Sequence, residues 1–268
     1  MTSLDEELAT LALRTAREAA AYITEKRPPG RVEVAQTKSS PTDVVTEIDQ
    51  GTEALIRDRI AAARPDDGFV GEESEATTGS SGVVWIVDPI DGTVNFVYGL
   101  PGYAVSIAAA VDDVVRVGCV INVVSGEEFS AVLGAGAVCR DGIDQPDEPL
   151  AAQAPPGLSH ALVGTGFNYV LEVRRSQAAA VAKLLEHVRD IRRNGSAAID
   201  LCSVAAGRLD AYVEQGLKPW DLAAGGLIAR ESGVELAGLE SEPNERLTIA
   251  APRGMAKEFF ALVRVSGF

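Results

Sequence analysis

The amino-acid sequence predicts a layered α/β protein, and three observations support this fold class. An amphipathic helix pattern comes first, β-hairpin patterns occupy residues 103–140, and short apolar strands alternate with helix patterns after 160. Such alternation is typical of sheets that carry helices on their faces. The chain has 268 residues, 46% of them apolar, which is enough for a large buried core.

The first hundred residues contain two long helix patterns and three strand patterns. An apolar period of 3.6 residues predicts a helix over 3–26, which Pro28-Pro29-Gly30 ends. The elements expected after it are a short strand at 31–35, a helix at about 47–63, a turn at 65–68, a strand at 69–71 and a buried strand at 83–88.

The remaining elements follow in the same way. Hairpin turns are expected at Asp112-Asp113 and Ser125-Gly126, between strands that extend to about 140, and 141–158 are loop-like. Strands are then expected at 162–164, 190–193, 210–213 and 247–250, with helices at 172–188, 196–206, 220–231 and from 254 onward.

Composition limits the classes of partner. The net charge of −15 argues against nucleic acid or an anionic membrane as a partner, so an anionic substrate would need a cation in its site. Three separated cysteines are expected to be reduced core residues, and two histidines make a histidine-rich metal site improbable. The amphipathic N-terminal stretch differs from a signal peptide, and no apolar run is long enough to span a bilayer, so a cytoplasmic location is expected.

Carboxylates recur where predicted strands end or predicted helices begin. They are Asp49, Glu72, Asp88, Asp91 and Asp221. These are the places where α/β folds build sites. Taken singly, Asp49 is better explained as a helix cap, and Asp221 fits either a cap or a ligand.

The stretch VDPIDGTVNF (87–96) needs a further explanation, because Asp88 and Asp91 are like charges at the end of a buried strand. Such a pair is tolerable when a cation lies between the carboxylates. Pro89 sharpens the exit from the strand, so that both carboxylates and the Ile90 carbonyl can converge. Oxygen ligands of this type favour Mg²⁺, Mn²⁺ or Ca²⁺.

A second feature follows at once in the sequence. Gly92 and Thr93 begin a short helix, where a glycine lets the backbone approach a ligand and free N–H groups attract an anion. The segment therefore combines a metal site with a phosphate site. Farther on, PWDLAAGG (219–226) puts Asp221 at a helix start, and Trp220 is explained there by core packing.

These residues resemble the lithium-sensitive, magnesium-dependent phosphomonoesterases of the inositol monophosphatase family, and bacterial inositol-1-monophosphatases most of all. Residues 88–93 match its DPxDGT signature. Further matches are GEES (71–74), WDLAAG (220–225), KSSPTDVVTEID (38–49), GTGF (164–167) and NGSAAIDLCSVAAG (194–207). The matches span roughly residues 36–235 in the family's order.

The resemblance implies an αβαβα layered sandwich of the sugar-phosphatase type. The whole chain, 1–268, would form one such domain, with a metal and phosphate half at about 1–145 and a substrate half at 146–268. It further implies roughly two or three Mg²⁺ ions per site and a homodimer.

The resemblance also implies roles for individual residues. Glu72, Asp88 and the Ile90 carbonyl would bind the first metal, and Asp88, Asp91 and Asp221 the second. Glu72 would also face a third, weaker metal site through water, and Thr93, with Asp49 behind it, would orient the attacking water. The amides of Gly92 and Thr93 would hold phosphate, while Asp91, Ala197, Glu214 and Asp221 would contact the alcohol of the substrate.

The expected activity is hydrolysis of inositol 1-phosphate, or of a similar polyol phosphate, by water attack. A carboxylate at Glu214 favours a polyol because it accepts hydrogen bonds from hydroxyls. Histidinol phosphate, fructose 1,6-bisphosphate and 3′-phosphoadenosine 5′-phosphate are alternative substrates. The aromatic content of 5% argues weakly against the adenine nucleotide. The alternative of another class is a regulatory protein that keeps this fold but acts through a partner, such as the transcription machinery.

Overall fold

The computed structural model describes residues 1–37, 44–240 and 242–268. Residues 38–43, which begin the KSSPTDVVTEID match, therefore lie outside the described residues. Within the described part, the helices are α1 (Ser3–Lys26), α2 (Glu47–Ala63), α3 (Thr93–Tyr98), α4 (Leu171–Leu185), α5 (Ala197–Ala205), α6 (Pro219–Glu231) and α7 (Arg253–Ser266). A 3₁₀ turn occupies Leu158–His160.

The strands form three sheets in the described part of the chain. A two-stranded sheet pairs β1 (Gln36–Thr37) with β2 (Val44–Val45). The larger sheet contains, in spatial order, β3 (Gly68–Gly71), β4 (Val83–Asp91), β5 (Ala104–Val111), β6 (Val114–Asn122), β7 (Glu127–Val132), β8 (Gly136–Asp141) and β9 (Glu148–Pro149). The smaller sheet contains β10 (Leu162–Thr165), β11 (Asp190–Arg192), β12 (Ala211–Glu214), β13 (Val234–Ala237) and β14 (Thr248–Pro252), in the order β11-β10-β12-β14-β13.

Four apolar clusters stack these elements into an αβαβα sandwich. α1 and α2 cover one face of the larger sheet through a core around Trp85, and α5 and α6 cover its other face. The same two helices pack with their opposite side on the smaller sheet around Tyr212. α4 and α7 close the far face of that sheet around Phe259. The predicted fold class is confirmed.

The two N-terminal helices begin where their caps dictate. Thr2 and Thr46 each accept a backbone N–H of the first turn, while the carboxylates of Asp5 and Asp49 accept the backbone N–H of these two cap residues. This reciprocal capping box satisfies N–H groups that a helix start otherwise leaves without partners. Both helices have the bounds predicted from the sequence.

Several sequence predictions need correction. Residues 31–35 are not a strand, and the pairing in that region begins at Gln36 instead. The strand Val234–Ala237 was not expected, and the loop-like stretch 141–158 contains β9. α4 ends at Leu185 rather than 188. The cysteines Cys119, Cys139 and Cys202 are free and buried, as expected. None of the described helices combines the length and apolar character that crossing a membrane requires.

Candidate active site

The carboxyl ends of strands from both sheets meet at one cleft of about 390 Å³. β3 and β4 end there in the larger sheet, β10 and β12 end there in the smaller sheet, and α5 and α6 begin there. The cleft is lined by nine of the predicted site residues: Glu72, Asp88, Ile90, Asp91, Gly92, Thr93, Ala197, Glu214 and Asp221. Asp49, the remaining one, lies buried directly behind Thr93.

Glu72 and Asp88 lie side by side where β3 ends in the larger sheet. β3 and β4 are parallel neighbours, and Gly71 pairs with Val87. The residues that follow this pair along the chain are the two carboxylates. A register shift between Asp88 and Asp91 in the pairing with β5 then turns the chain into the cleft. Here the backbone N–H of Ile90 donates to Asp88 Oδ1 at 3.0 Å.

Three aspartates form the centre of the cleft. Oxygen atoms of Asp88, Asp91 and Asp221 lie within 4.8 Å of one another, and Asp88 and Asp91 are buried. Burial, followed by the negative charges of Glu72, Asp91 and Asp221, raises the pKa of Asp88 well above its usual range. Burial and the charge of Asp91 raise the pKa of Asp221 in the same way.

The start of α5 holds Asp91 in place. Asp91 Oδ2 accepts hydrogen bonds from the Ser196 hydroxyl at 2.6 Å and from the Ala198 N–H at 2.7 Å. Burial raises the pKa of Asp91 to about 6, although these two hydrogen bonds act in the opposite direction. Because a helix N-terminus favours negative charge, the start of α5 stabilises the ionised form of this carboxylate.

Asp221 lies in the first turn of α6, where its Oδ2 accepts the Lys218 N–H at 2.7 Å. It is therefore both a cap and a member of the carboxylate cluster, so the two interpretations of this residue are compatible. The preceding Trp220 is only half-buried and lines the cleft, which corrects its interpretation as a core residue.

Thr93 links α3 to α2 behind the carboxylates. Its Oγ1 lies 3.3 Å from Asp49 Oδ1 and 3.1 Å from the Ile90 carbonyl, both of which are acceptors. Asp49 Oδ2 meanwhile accepts the N–H and the hydroxyl of Thr46. Asp49 thus combines its capping role with the Thr93 contact, and the single hydroxyl proton of Thr93 has two nearby acceptors.

Glu214 lies on the opposite wall, at the end of β12. The hydroxyl of the buried Tyr212 donates to Glu214 Oε2. Burial raises the pKa of Glu214 to about 7, while the Tyr212 hydrogen bond and the charge of Arg193 lower it. Gly166 makes room for this carboxylate, because a Cβ at that position would lie 2.0 Å from Oε2. The GTGF match at 164–167 therefore has a steric reason.

Sequence reasoning missed four charged groups of the cleft: Arg193, Asp200, Lys218 and Glu245. Asp200 is buried in α5, where Asn194 Nδ2 donates to its Oδ1 at 2.6 Å. An aspartate inside an otherwise apolar helix pattern was the available signal. Reasoning from composition also missed that three aromatic side chains, Phe167, Tyr169 and Trp220, line the cleft.

The donor set fits a hard divalent cation. Several carboxylates converge in one place, the pKa values of Asp88 and Asp221 are raised by burial and by mutual repulsion, and the ligand atoms are all oxygens. A divalent cation would remove that repulsion, and oxygen donors select Mg²⁺, Mn²⁺ or Ca²⁺ over softer metals.

Comparisons with known proteins agree with this geometry. The model of the inositol monophosphatase family matches residues 4–265. An inositol-1-monophosphatase of Mycobacterium bovis is 44% identical over 98% of this chain and 97% of its own length. A Nus factor SuhB of Haemophilus influenzae is 37% identical over 95% and 94%. The solved structure of Mycobacterium tuberculosis SuhB superposes with a TM-score of 0.83, at 42% identity and 97% coverage of both chains. The chain belongs to the inositol monophosphatase family.

Proposed function

We propose that the protein is a Mg²⁺-dependent phosphomonoesterase that hydrolyses inositol 1-phosphate or a similar polyol phosphate. The observation that carries this proposal is the buried cluster of Asp88, Asp91 and Asp221 beside the Thr93–Asp49 pair. The 44%-identical relative from Mycobacterium bovis bears the name inositol-1-monophosphatase, which supports the same activity here.

The carboxylates are proposed to hold the cations. Glu72, Asp88 and the Ile90 carbonyl would bind one, and Asp88, Asp91 and Asp221 a second, with Glu72 also facing a third through water. Bound Mg²⁺ would lower the pKa of water and offset charge on the phosphate and on the leaving alcohol.

The other residues act on water and substrate. Because either Asp49 Oδ1 or the Ile90 carbonyl can accept the single hydroxyl proton of Thr93, the lone pairs of that hydroxyl can accept a hydrogen bond from the attacking water. The amides of Gly92 and Thr93 would hold the phosphate at the start of α3. Ala197 and Glu214, with Asp91 and Asp221, would contact the alcohol, where Glu214 accepts hydrogen bonds from hydroxyl groups.

In this proposal the phosphate contacts and most metal ligands lie within about 1–145. The alcohol contacts Ala197 and Glu214 lie within 146–268, as does the metal ligand Asp221. The homodimer, the lithium sensitivity and the cytoplasmic location stay predictions.

Rival substrates remain within the same chemistry: histidinol phosphate, fructose 1,6-bisphosphate and 3′-phosphoadenosine 5′-phosphate. Aromatic side chains in the cleft weaken the compositional argument against the adenine nucleotide, because they could stack on a base. A non-enzymatic regulatory function is the second candidate, since the Haemophilus influenzae relative bears the name Nus factor.

Phosphate release from these four substrates, measured with purified protein and Mg²⁺, tests the proposal. We expect inositol 1-phosphate to give the highest kcat/KM. Asp88→Asn should lower this value by more than about 100-fold, which is a larger loss than substitutions outside the metal shell usually cause. Near-normal activity of Asp88→Asn would remove Asp88 as a shared ligand. No release from any of the four substrates would favour the regulatory candidate.

A further inference from the structure

Helix α2 carries a buried carboxylate that the proposed chemistry does not use. Glu53 is only 2% exposed, four residues after Asp49 on the same face of the helix. Its Oε2 accepts the backbone N–H of Glu73 at 2.8 Å, and its Oε1 accepts the hydroxyl of Ser74. A buried carboxylate is costly without such partners, so these bonds explain how Glu53 is tolerated there.

The residue before Glu72 is held against the same side chain. A Cβ on Gly71 would lie 2.3 Å from Glu53 Oε2 and 2.5 Å from its Cδ, so the backbone at the end of β3 lies directly against the carboxylate. Glu72 thus stands between two residues, Gly71 and Glu73, that Glu53 contacts. Its backbone position depends on Glu53 on both sides.

One turn later, Arg57 extends the same contact. Its guanidinium donates to Ser74 Oγ at 2.7 Å and to the Glu75 carbonyl at 3.0 Å, and it stacks over the Phe69 ring at 4.2 Å. Asp49, Glu53 and Arg57 follow one another at intervals of four residues along α2. The first holds Thr93, and the other two hold the segment that follows Glu72.

We propose that Glu53 is a positioning residue that fixes the backbone of Glu72 and thereby sets the affinity of the cleft for divalent cations. This inference rests on the proposed metal site. Partners outside the metal shell commonly change metal affinity by about 10- to 100-fold, because they orient a ligand that otherwise has to be ordered on binding. α2 would then position both the Glu72 segment and the Thr93 hydroxyl.

The test measures metal binding directly and activity separately. Binding of Mn²⁺ alone, followed by electron paramagnetic resonance, is compared in wild type, Glu53→Ala and Glu53→Gln, with Asp58→Asn as a control. Asp58 is an exposed carboxylate on the same helix. We expect Glu53→Ala to weaken Mn²⁺ binding by about tenfold or more. Glu53→Gln should lie between Glu53→Ala and wild type, because the amide oxygen can still accept the Glu73 N–H. Asp58→Asn should match wild type.

The kinetic readout distinguishes positioning from a general structural role. The Mg²⁺ concentration for half-maximal rate should rise by a factor similar to the loss of Mn²⁺ affinity, while kcat at saturating Mg²⁺ changes less. If Glu53→Ala fails to fold, Ser74→Ala decides, because Ser74 is exposed and loses only its bond to Glu53 and its contact with Arg57.

Unchanged Mn²⁺ binding in a folded Glu53→Ala, or in Ser74→Ala when that variant decides, overturns the inference and leaves the proposed function intact. Wild type that binds no Mn²⁺ removes the metal site itself, and with it the basis of the proposed function.

Discussion

Asp200 is a buried carboxylate whose surroundings keep it protonated near neutral pH. Burial raises its pKa to about 8, and the charges of Glu214 and Asp91 act in the same direction. The hydrogen bond from Asn194 and the charge of Arg193 lower it. The folded protein therefore holds a proton on Asp200 that the unfolded chain releases near pH 4.

This difference makes folding stability depend on pH. The contribution of Asp200 is fully present below its unfolded pKa, near 4, and is lost as the pH rises through about 8. Asp200→Asn cannot titrate and keeps an oxygen for Asn194. We expect the Tm of the variant, relative to wild type, to increase by about 5 °C or more between pH 5 and pH 9. Scanning fluorimetry in EDTA measures it, and a difference that is constant with pH would contradict the assignment.

Single residues differ in how far the sequence identifies them. Asp88 and Asp91 were recognisable because two like charges at the end of an apolar strand need a compensating ion. Asp200 offered only an aspartate inside an apolar helix pattern, and Arg193 offered no local signal, because the position of both in the cleft depends on tertiary packing. Ser196, which holds Asp91 across 105 residues of chain, belongs to the same group.

At the scale of elements, α3 begins at a glycine in the left-handed region. Gly92 has φ +96°, and a Cβ there would lie 2.9 Å from the Gly102 carbonyl and 3.2 Å from that of Gly195. Asn95, one turn later, donates to the carbonyls of Gly102 and Asn194 at 2.8 and 2.7 Å. The start of α3 is therefore fitted tightly between segments of both halves.

A matched pair of glycine substitutions separates this close fit from backbone strain. Gly126 also has a positive φ, of +78°, but a Cβ there meets nothing within 4 Å. Gly126→Ala should cost about 1–2 kcal/mol of stability without changing kcat. Gly92→Ala should cost roughly 1–3 kcal/mol more and lower kcat by about tenfold or more, because α3 must shift. Urea unfolding and steady-state kinetics measure both. Equal kcat values in the two variants would refute the tight-fit explanation.

A helix or strand can be predicted from the sequence when the residues that specify it lie within the element itself. α1 and α2 have strong periodicity and capping residues, so their bounds could be predicted. β13 has only four residues and pairs antiparallel with β14, so its identity depends on a partner strand. Residues 31–35 show the reverse case: their alternating pattern suits a strand, but the backbone pairs only from Gln36 onward.

At the scale of the whole molecule, the five layers bring acidic groups from both halves to one cleft in a chain of net charge −15. β4 supplies Asp88 and Asp91, and α6 supplies Asp221. Packing α5 and α6 between the two sheets therefore creates the electrostatic repulsion in the cleft. Folding without a cation has to overcome this repulsion, so a cation bound at the proposed metal site would stabilise the fold.

This linkage predicts that Mg²⁺ stabilises the protein and that the effect grows with pH. Without metal, the pKa of Asp91 is about 6, above its unfolded value, so its contribution to stability is present at low pH and is lost as the pH rises through 6. Mg²⁺ binds the ionised carboxylates and restores stability in that range. At 100 times Kd the gain is about 2.7 kcal/mol, or roughly 5–10 °C in Tm.

Thermal unfolding at pH 5 and pH 8, with Mg²⁺ or with NaCl of equal ionic strength, separates binding from screening. Asp221→Asn should lose most of the Mg²⁺ effect and, in EDTA at pH 8, should be more stable than wild type, because it removes an acidic group whose ionisation is disfavoured by burial and by the charge of Asp91. An equal rise in Tm with NaCl, or a Mg²⁺ effect that is the same at both pH values, would show that general screening, rather than a site at the carboxylate cluster, accounts for the stabilisation.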